Sequence, residues 1–472
     1  MPRLEPDARA RPSFLRDAFP LSRADAGRIF LVALVVRVAY LALVYRGPAS
    51  LFTDDSRVYQ SLATEIASGC HSLGCAMDIS VTRAPLYPMF LAGVQALFGP
   101  APIWAVAIQV GVDSASCVLV AWLAGLVDRR LAFLAGLVAC IDLNLITNAG
   151  LILTESLFMA PFIASMIAAL LYIERPSAPR ALAAGAFVGL ALLVRSVLMF
   201  FLPILLIALA LAAWRRRIGP ARAVRDLVLV TAATLVFVAP IVIHNARSYG
   251  RLAFVNQGGE HALLWVAPAA YEFVRGVPFA DGQKEMRARL DAALAELHLE
   301  ALPRNPFAAS AIQERVASRA LFELGLAGIA RAWLDGAAIN LLAPALVSVP
   351  TVSHLPRPHF YATAGRNMLD KVANFARAAG GSLFFWLMVP AVLLTLACRA
   401  IELWALLRTG RPGGLPLAPT LYLAAIAGYI VMITGPVAGV GYRIELEPFL
   451  AILLASGLLR LWRRGDGSTS RA

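Results

Sequence analysis

Apolar residues run along the sequence in blocks of about 20, with short polar links between them. A helix of this length crosses the hydrocarbon core of a bilayer, which is roughly 30 Å thick. Because lipid offers no hydrogen-bond partners, the backbone groups of such blocks must bond within a helix. The alternation of apolar and polar residues that is typical of transmembrane β-strands is absent from the sequence. The pattern predicts an all-α fold, a polytopic transmembrane helical bundle.

The blocks predict ten spans, or twelve if two further apolar pieces also cross the membrane. We interpret these two pieces, residues 86–98 and 334–349, as helices in the outer interface, because counting either as a span breaks the charge pattern. The stretch 181–214 is long enough for two helices, with a turn near Arg195 and Pro203. The predicted spans are residues 28–45, 103–127, 131–148, 151–173, 181–198, 199–214, 226–245, 383–398, 419–434 and 448–462.

The composition supports a membrane protein, and the positions of the arginines explain the net charge. The 472 residues are 60% hydrophobic and only 15% charged, with a mean hydropathy of +0.72. The formal net charge is +13, which in a soluble protein would suggest a nucleic-acid partner. Here the arginines cluster in short links between apolar blocks, so the positive-inside rule places these links and both chain ends in the cytoplasm. We therefore expect a multi-pass protein of the inner (plasma) membrane and no nucleic-acid partner.

The charge pattern divides the chain into a short tail and one large membrane domain. Residues 1–27 predict a poorly ordered cytoplasmic tail, followed by an uncleaved membrane anchor. Residues 28–472 predict the membrane domain, with two large segments, 46–102 and 246–381, on the periplasmic side. Mixed charge and helical periodicity over 281–323 predict a small amphipathic cap in the second segment. The internal repeat of many secondary transporters is not evident.

Two adjacent carboxylates, Asp54 and Asp55, follow the first predicted span in the sequence FTDDS. Carboxylates at such a position can act as a general base or hold a cation. The alternative is that they are solvated loop acids, or N-terminal caps of a helix over 56–68. Arg83 follows in the sequence TRAPLYP, where it can pair with an anionic head group or simply extend towards water at the interface.

Three further charged residues stand at the ends of apolar runs. Glu155 and Arg195 lie at membrane depth, where an ionisable residue indicates a functional site or, alternatively, a structural ion pair. Arg443 lies just before the last predicted span, in the sequence GYRIELEP. His261, beside Glu260, could bind a metal ion, although a single histidine in a polar loop is more often solvated.

Cys70 and Cys75 both fall in the first outer segment. An oxidising compartment would permit a disulfide between them. A zinc site that uses His71 is the weaker alternative, because the spacing is not a standard one and a fourth ligand is not identified.

The order of these motifs resembles the GT-C superfamily of membrane glycosyltransferases. Within that superfamily the chain is similar to dolichyl-phosphate-mannose–protein mannosyltransferases and to the lipid A aminoarabinose transferase. The shared motifs are a carboxylate pair after span one, an A-x-x-x-x-x-G helix end from Ala63 to Gly69, and an R-x-P-x-Y-P turn. They continue with T-E at the start of span four, an arginine near the end of span five, and Y-R…P before the last span.

The resemblance implies that a sugar moves from a polyprenyl-phosphate donor, undecaprenyl or similar, to a lipid, glycan or protein acceptor, normally with inversion. It gives the general base to Asp54, with Asp55 as the fallback. Glu155 is then expected to orient the acceptor or a divalent ion. The expected donor-phosphate ligands are Arg83, Arg195 and Arg443, and further acceptor or loop candidates are Tyr59, Tyr87, His261 and Tyr442.

Departures from the family pattern leave some properties open. Thr82 stands where the aminoarabinose transferase has a glutamate, so a metal site of that kind is not expected here. A divalent metal ion stays open as a cofactor, and its ligands are unknown. A transporter or flippase of a lipid-linked saccharide is the alternative function, and Asp113 and Asp142, deep within spans, favour it. A non-catalytic scaffold is a third possibility, which predicts no convergence of the charged residues.

Overall fold

A computed structural model describes residues 20–70 and 72–469, and these residues form helices and loops without a β-strand. Most of the predicted tail, residues 1–19, lies outside the described residues. In chain order the helices are α1 (Arg23–Val44), α2 (Asp54–Gly69), α3 (Leu73–Ile79), α4 (Leu86–Phe98), α5 (Ile103–Val127), α6 (Ala132–Ile141), α7 (Leu143–Ala149), α8 (Glu155–Glu174), α9 (Ala178–Val194), α10 (Leu202–Arg215), α11 (Pro220–Tyr249), α12 (Gln257–His261), α13 (Ala267–Arg275), α14 (Phe279–Glu296), α15 (Pro306–Phe322), α16 (Gly325–Leu342), α17 (Pro350–Ser353), α18 (Met368–Ala379), α19 (Leu383–Leu407), α20 (Leu417–Thr434) and α21 (Glu447–Thr469).

The long apolar helices confirm the prediction of a multi-pass helical membrane protein. Within the described residues, α1, α5, α8, α11, α19 and α20 are each long and apolar enough to cross a bilayer. The pair α6–α7, bent by 55°, gives a seventh span if it is counted as one. The other three predicted spans correspond to the helices α9, α10 and α21, of which α9 and α10 are shorter.

Two predicted spans differ from the structure at a polar residue. The single span predicted over 131–148 is broken at Asp142, whose carboxylate accepts a hydrogen bond from the backbone N–H of Leu145 (2.9 Å) and so caps α7. The span predicted to end before Arg399 continues to Leu407. Arg399 forms an ion pair with Glu402 one turn later (2.7 Å), so both charges are accommodated inside the helix.

Buried charge and close backbone contact hold the bundle together. Arg37 of α1 and Asp113 of α5 form an ion pair in which both side chains are almost fully buried. The Arg37 guanidinium also donates to the carbonyl oxygen of Cys140 (3.3 Å). On α9, Gly185 packs directly against the backbone of Val230, where a side chain would collide with a carbonyl oxygen. This contact fixes α9, which carries Arg195 at its end.

The first outer segment is held by an internal disulfide and by hydrogen bonds to α11. A disulfide joins Cys70 and Cys75, with Cα atoms 5.6 Å apart, so these cysteines are not zinc ligands here. His71, the third residue of that alternative, lies outside the described residues. Asp78 of α3 accepts hydrogen bonds from two residues of α11, from His244 Nε2 (2.7 Å) and from the hydroxyl of Tyr249 at the end of the helix (2.9 Å).

The second outer segment contains helices α12 to α18. The predicted cap over 281–323 consists of two helices, α14 and α15. Glu323 links them, because Arg289 of α14 donates to both of its carboxylate oxygens (2.6 and 2.9 Å). The helix predicted over 334–349 instead ends at Leu342, two residues before Pro344, which cannot continue it.

Candidate active site

The carboxylate pair lies in the first turn of α2. Thr53 caps this helix, and its side chain accepts a hydrogen bond from the backbone N–H of Ser56 (3.3 Å). Asp54 and Asp55 are both exposed, but neighbouring positions on a helix point about 100° apart. Asp55 lies one turn before Tyr59 and therefore shares the face of α2 that turns towards the bundle.

Arg195, at the end of α9, lies between two glutamates from distant parts of the chain. It forms an ion pair with Glu155, the first residue of α8. Its Nη2 lies 3.3 Å from Oε1 of Glu445, in the 3₁₀ segment that leads into α21. Its Nη1 also donates to the hydroxyl of Thr154 (3.1 Å). The top of α8, the end of α9 and the entry to α21 therefore meet at one guanidinium.

Tyr59 lies among the charged residues that the sequence analysis selected. Burial raises the pKa of its phenol, Arg195 and Arg83 lower it, and Glu155 and Asp55 raise it. Tyr59 also packs edge-on against Tyr87, with ring centroids 5.1 Å apart. The Tyr87 hydroxyl donates to Gln109 Oε1 (2.8 Å), so this ring is fixed beneath the site.

Tyr442 and His261 complete the cluster. Burial raises the pKa of Tyr442, and Tyr361 and Asp55 raise it further. Burial lowers the pKa of His261, the positive charge of Arg83 lowers it further, and Asp55 raises it. Both residues are thus close enough to Asp55 to respond to its charge.

Arg83 is the cation of this cluster with the greatest freedom to bind a ligand. Its guanidinium donates to the carbonyl oxygen of Thr82 (3.1 Å), and it forms no ion pair with any carboxylate in the described part of the chain. Arg195, in contrast, already contacts two glutamates. An anion that entered the cluster would therefore find an uncompensated guanidinium at Arg83.

Arg443, the third expected phosphate ligand, is buried and directed away from the cluster. Its Nε donates to Glu447 (2.7 Å), and its Nη1 donates to the carbonyl oxygens of Asn340, Leu341 and Ala343 (2.8 to 3.1 Å). These carbonyls lie at the C-terminal end of α16, where helical oxygens lack partners within the helix. The placement fits a structural role and differs from the phosphate contact that the resemblance implies.

We expect Arg443→Ala to lower the free energy of unfolding by about 1.5–3 kcal/mol, because it removes charged hydrogen bonds from buried acceptors. Unfolding of the purified protein in detergent, without any added ligand, measures this loss. The exposed Arg247 offers a control, and Arg247→Ala should leave the stability unchanged. Wild-type stability of Arg443→Ala would show that these buried contacts contribute little.

Glu445 belongs to the cluster although the sequence analysis did not select it. Its side chain is only 2% exposed, and burial raises the pKa of its carboxyl group. The one available signal was its position two residues after Arg443, inside the quoted motif GYRIELEP. Nothing in the sequence shows that a residue near the end of the chain meets Arg195.

The described side chains do not by themselves form a metal centre. In the part of the chain that the structure covers, no three His, Cys, Asp or Glu side chains are grouped as metal ligands.

The cluster combines carboxylates, the unpaired guanidinium of Arg83 and phenols in one region of the described chain. A carboxylate can take a proton from a hydroxyl, and guanidinium groups can stabilise a phosphate that gains charge. This combination suits the transfer of a group from a phosphate ester to a hydroxyl acceptor.

Part of the chain matches a known protein family. Residues 95–251 match the model of the family described as dolichyl-phosphate-mannose-protein mannosyltransferase. This part of the chain contains Glu155 and Arg195 but excludes Asp55, Arg83 and Glu445. No curated protein matches the sequence significantly.

Solved structures of membrane glycosyltransferases are similar at low identity. The oligosaccharyltransferase of Archaeoglobus fulgidus in its apo form has a TM-score of 0.47 and 14% identity, over 94% of this chain and 52% of that chain. The same enzyme in complex with Zn and sulfate has a TM-score of 0.47 and 14% identity, over 92% and 49%. ArnT from Cupriavidus metallidurans bound to undecaprenyl phosphate has a TM-score of 0.36 and 14% identity, over 93% and 79%. The chain spans about half the length of the archaeal enzyme.

The family match covers the helices that carry Glu155 and Arg195, the central ion pair of the site. The resemblance predicted from the sequence is therefore confirmed, and residues 95–251 are similar to the dolichyl-phosphate-mannose-protein mannosyltransferases.

Proposed function

We propose that this protein transfers a sugar from a polyprenyl-phosphate donor to a hydroxyl group of an acceptor, at the extracytoplasmic face of the plasma membrane and with inversion. The observation that carries the proposal is the convergence of Asp55, Arg83, Glu155, Arg195 and Tyr442 at one site. The family that matches residues 95–251 is named for a polyprenyl-phosphate sugar, which supports this class of donor.

The proposed reaction is a single displacement. The acceptor oxygen attacks the anomeric carbon, the bond between that carbon and the phosphate oxygen breaks, and the acceptor proton moves to a carboxylate. We assign this base to Asp55, because Asp55 shares the inward face of α2 with Tyr59, whereas Asp54 does not. Arg83 and Arg195 would stabilise the polyprenyl phosphate that leaves, and Glu155 would orient the acceptor.

Two observations support an extracytoplasmic site. The disulfide between Cys70 and Cys75 lies in the segment that carries Arg83, and disulfides persist in oxidising compartments. The arginine-rich links lie at the opposite ends of the apolar blocks, as the positive-inside rule requires. In this arrangement residues 46–102 and 246–381 are the periplasmic segments, and α4 lies at the outer interface, where its apolar surface can bind a prenyl chain.

The structure gives the flippase alternative less support than the sequence did. Asp113 is neutralised by Arg37, and the carboxylate of Asp142 caps a helix. Each of these intramembrane carboxylates therefore has a structural partner. Their presence can be explained without a path for a charged saccharide through the membrane.

Mass spectrometry of envelope lipids, glycans and proteins tests the proposal. We expect one class of molecule to lose the mass of one sugar when the gene is deleted, and to regain it with the wild-type gene but not with Arg83→Ala. Arg57→Ala, on the exposed side of α2, is a matched control and should restore the sugar. An unchanged envelope after deletion, combined with movement of lipid-linked saccharide across liposomes by the purified protein, would favour the flippase.

A further inference from the structure

We propose that Arg195 exchanges one carboxylate for the donor phosphate while Glu445 holds it in position. Glu445 is then a positioning residue, and Glu155 is the partner that leaves. This inference rests on the proposed function and adds the step in which Arg195 becomes available to the donor phosphate.

The first observation is that Glu445 has no hydrogen-bond donor in the described part of the chain. Neither of its carboxylate oxygens accepts a hydrogen bond from another residue in this part of the chain, although the side chain is only 2% exposed. The cation beside it is Arg195, whose Nη2 lies 3.3 Å from Oε1. A buried carboxylate without other partners depends on that guanidinium for its stabilisation.

The second observation is an excess of negative charge. One guanidinium faces the carboxylates of both Glu155 and Glu445. A phosphate that bound to Arg195 would bring a third negative group to the same cation. Like charges at this distance repel strongly where water is excluded, so we expect one carboxylate to move away when the phosphate binds.

The third observation is the unequal exposure of the two glutamates. The Glu155 side chain is 12% exposed and that of Arg195 is 21% exposed, whereas that of Glu445 is 2% exposed. Glu155 is therefore the more accessible of the two carboxylates and has the greater freedom to turn away from Arg195. Glu445 lies in the buried 3₁₀ segment before α21 and has no such freedom.

The exchange would set the order in which the donor and the acceptor bind. Once the phosphate replaces Glu155 on the guanidinium, the freed carboxylate can accept a hydrogen bond from the hydroxyl of the acceptor. Before the donor binds, Glu155 is occupied by Arg195. Donor binding therefore precedes productive binding of the acceptor.

Binding of radiolabelled undecaprenyl phosphate to the purified protein in detergent tests the exchange without relying on activity. We expect Glu445→Gln to weaken binding by at least about tenfold, because the guanidinium loses its fixed partner. We expect Glu155→Gln to tighten binding, because it removes the group that competes with phosphate. Opposite effects of two neutralising substitutions around one arginine are not expected from a general loss of structure.

Glu447→Gln is the matched control, because Glu447 is an equally buried glutamate two residues away that pairs with Arg443. It should leave the affinity for undecaprenyl phosphate unchanged. Wild-type affinity in Glu445→Gln, or weaker binding in Glu155→Gln, would overturn the exchange but would leave the proposed donor unaffected. If Glu445→Gln does not fold, the sign of the effect in Glu155→Gln still decides. Failure of the wild-type protein to bind would overturn the proposed donor together with the exchange.

Discussion

Replacing Asp55 by asparagine is expected to slow sugar transfer by about 10²–10⁴-fold, the usual contribution of a general base. The substitution keeps the shape of the side chain and removes its ability to take a proton from the acceptor. Because Asp55 is exposed in the first turn of α2, the fold and the binding of donor lipid should persist. Initial rates with saturating donor measure the loss.

Asp54→Asn provides the control at the neighbouring position. Both substitutions remove one negative charge from the N-terminus of α2, so any effect of the helix dipole is shared. A larger loss with Asp54→Asn would transfer the base to Asp54, the residue that the family resemblance favours. Full activity of both variants would exclude the carboxylate pair as the base.

Replacing Arg37 by leucine is expected to lower the free energy of unfolding by about 3–5 kcal/mol, because the change leaves Asp113 charged and unpaired. Both side chains are almost fully buried between α1 and α5, so water cannot take the place of the guanidinium. Thermal or denaturant-induced unfolding in detergent measures the change.

The double variant Arg37→Leu/Asp113→Leu separates the two contributions. We expect it to regain most of the lost stability, since an apolar pair of suitable size costs little in a buried site. If the double variant also retains sugar transfer, the charged pair is structural. Loss of transfer in a stable double variant would instead indicate that charge in the membrane has a role in function.

Local pattern was sufficient wherever a helix is bounded by its own residues. The helix α4 has the predicted bounds, Leu86–Phe98, because Pro85 precedes it and Gly99, with a positive φ of 86°, ends it. The turn near Arg195 was predicted for a similar reason, and the structure places a short 3₁₀ segment, Ser196–Leu198, there.

Distant partners could not be predicted from local pattern. The predicted span ends before Arg399, because local pattern does not show that Glu402 neutralises that charge within the helix. The pattern groups Arg443 with the phosphate ligands, because the carbonyl groups that surround it belong to a helix about 100 residues earlier. Glu445 has no such local signal, since its contact with Arg195 exists only in the folded bundle.

The site combines residues that lie far apart in the sequence, because Asp55 follows α1 and Glu445 lies in the segment that immediately precedes α21. During synthesis the ribosome must therefore deliver every helix to the membrane before Arg195 has its second glutamate. A nascent or truncated chain without residue 445 would hold Arg195 with a single glutamate, so the cluster assembles only after that late segment has been made.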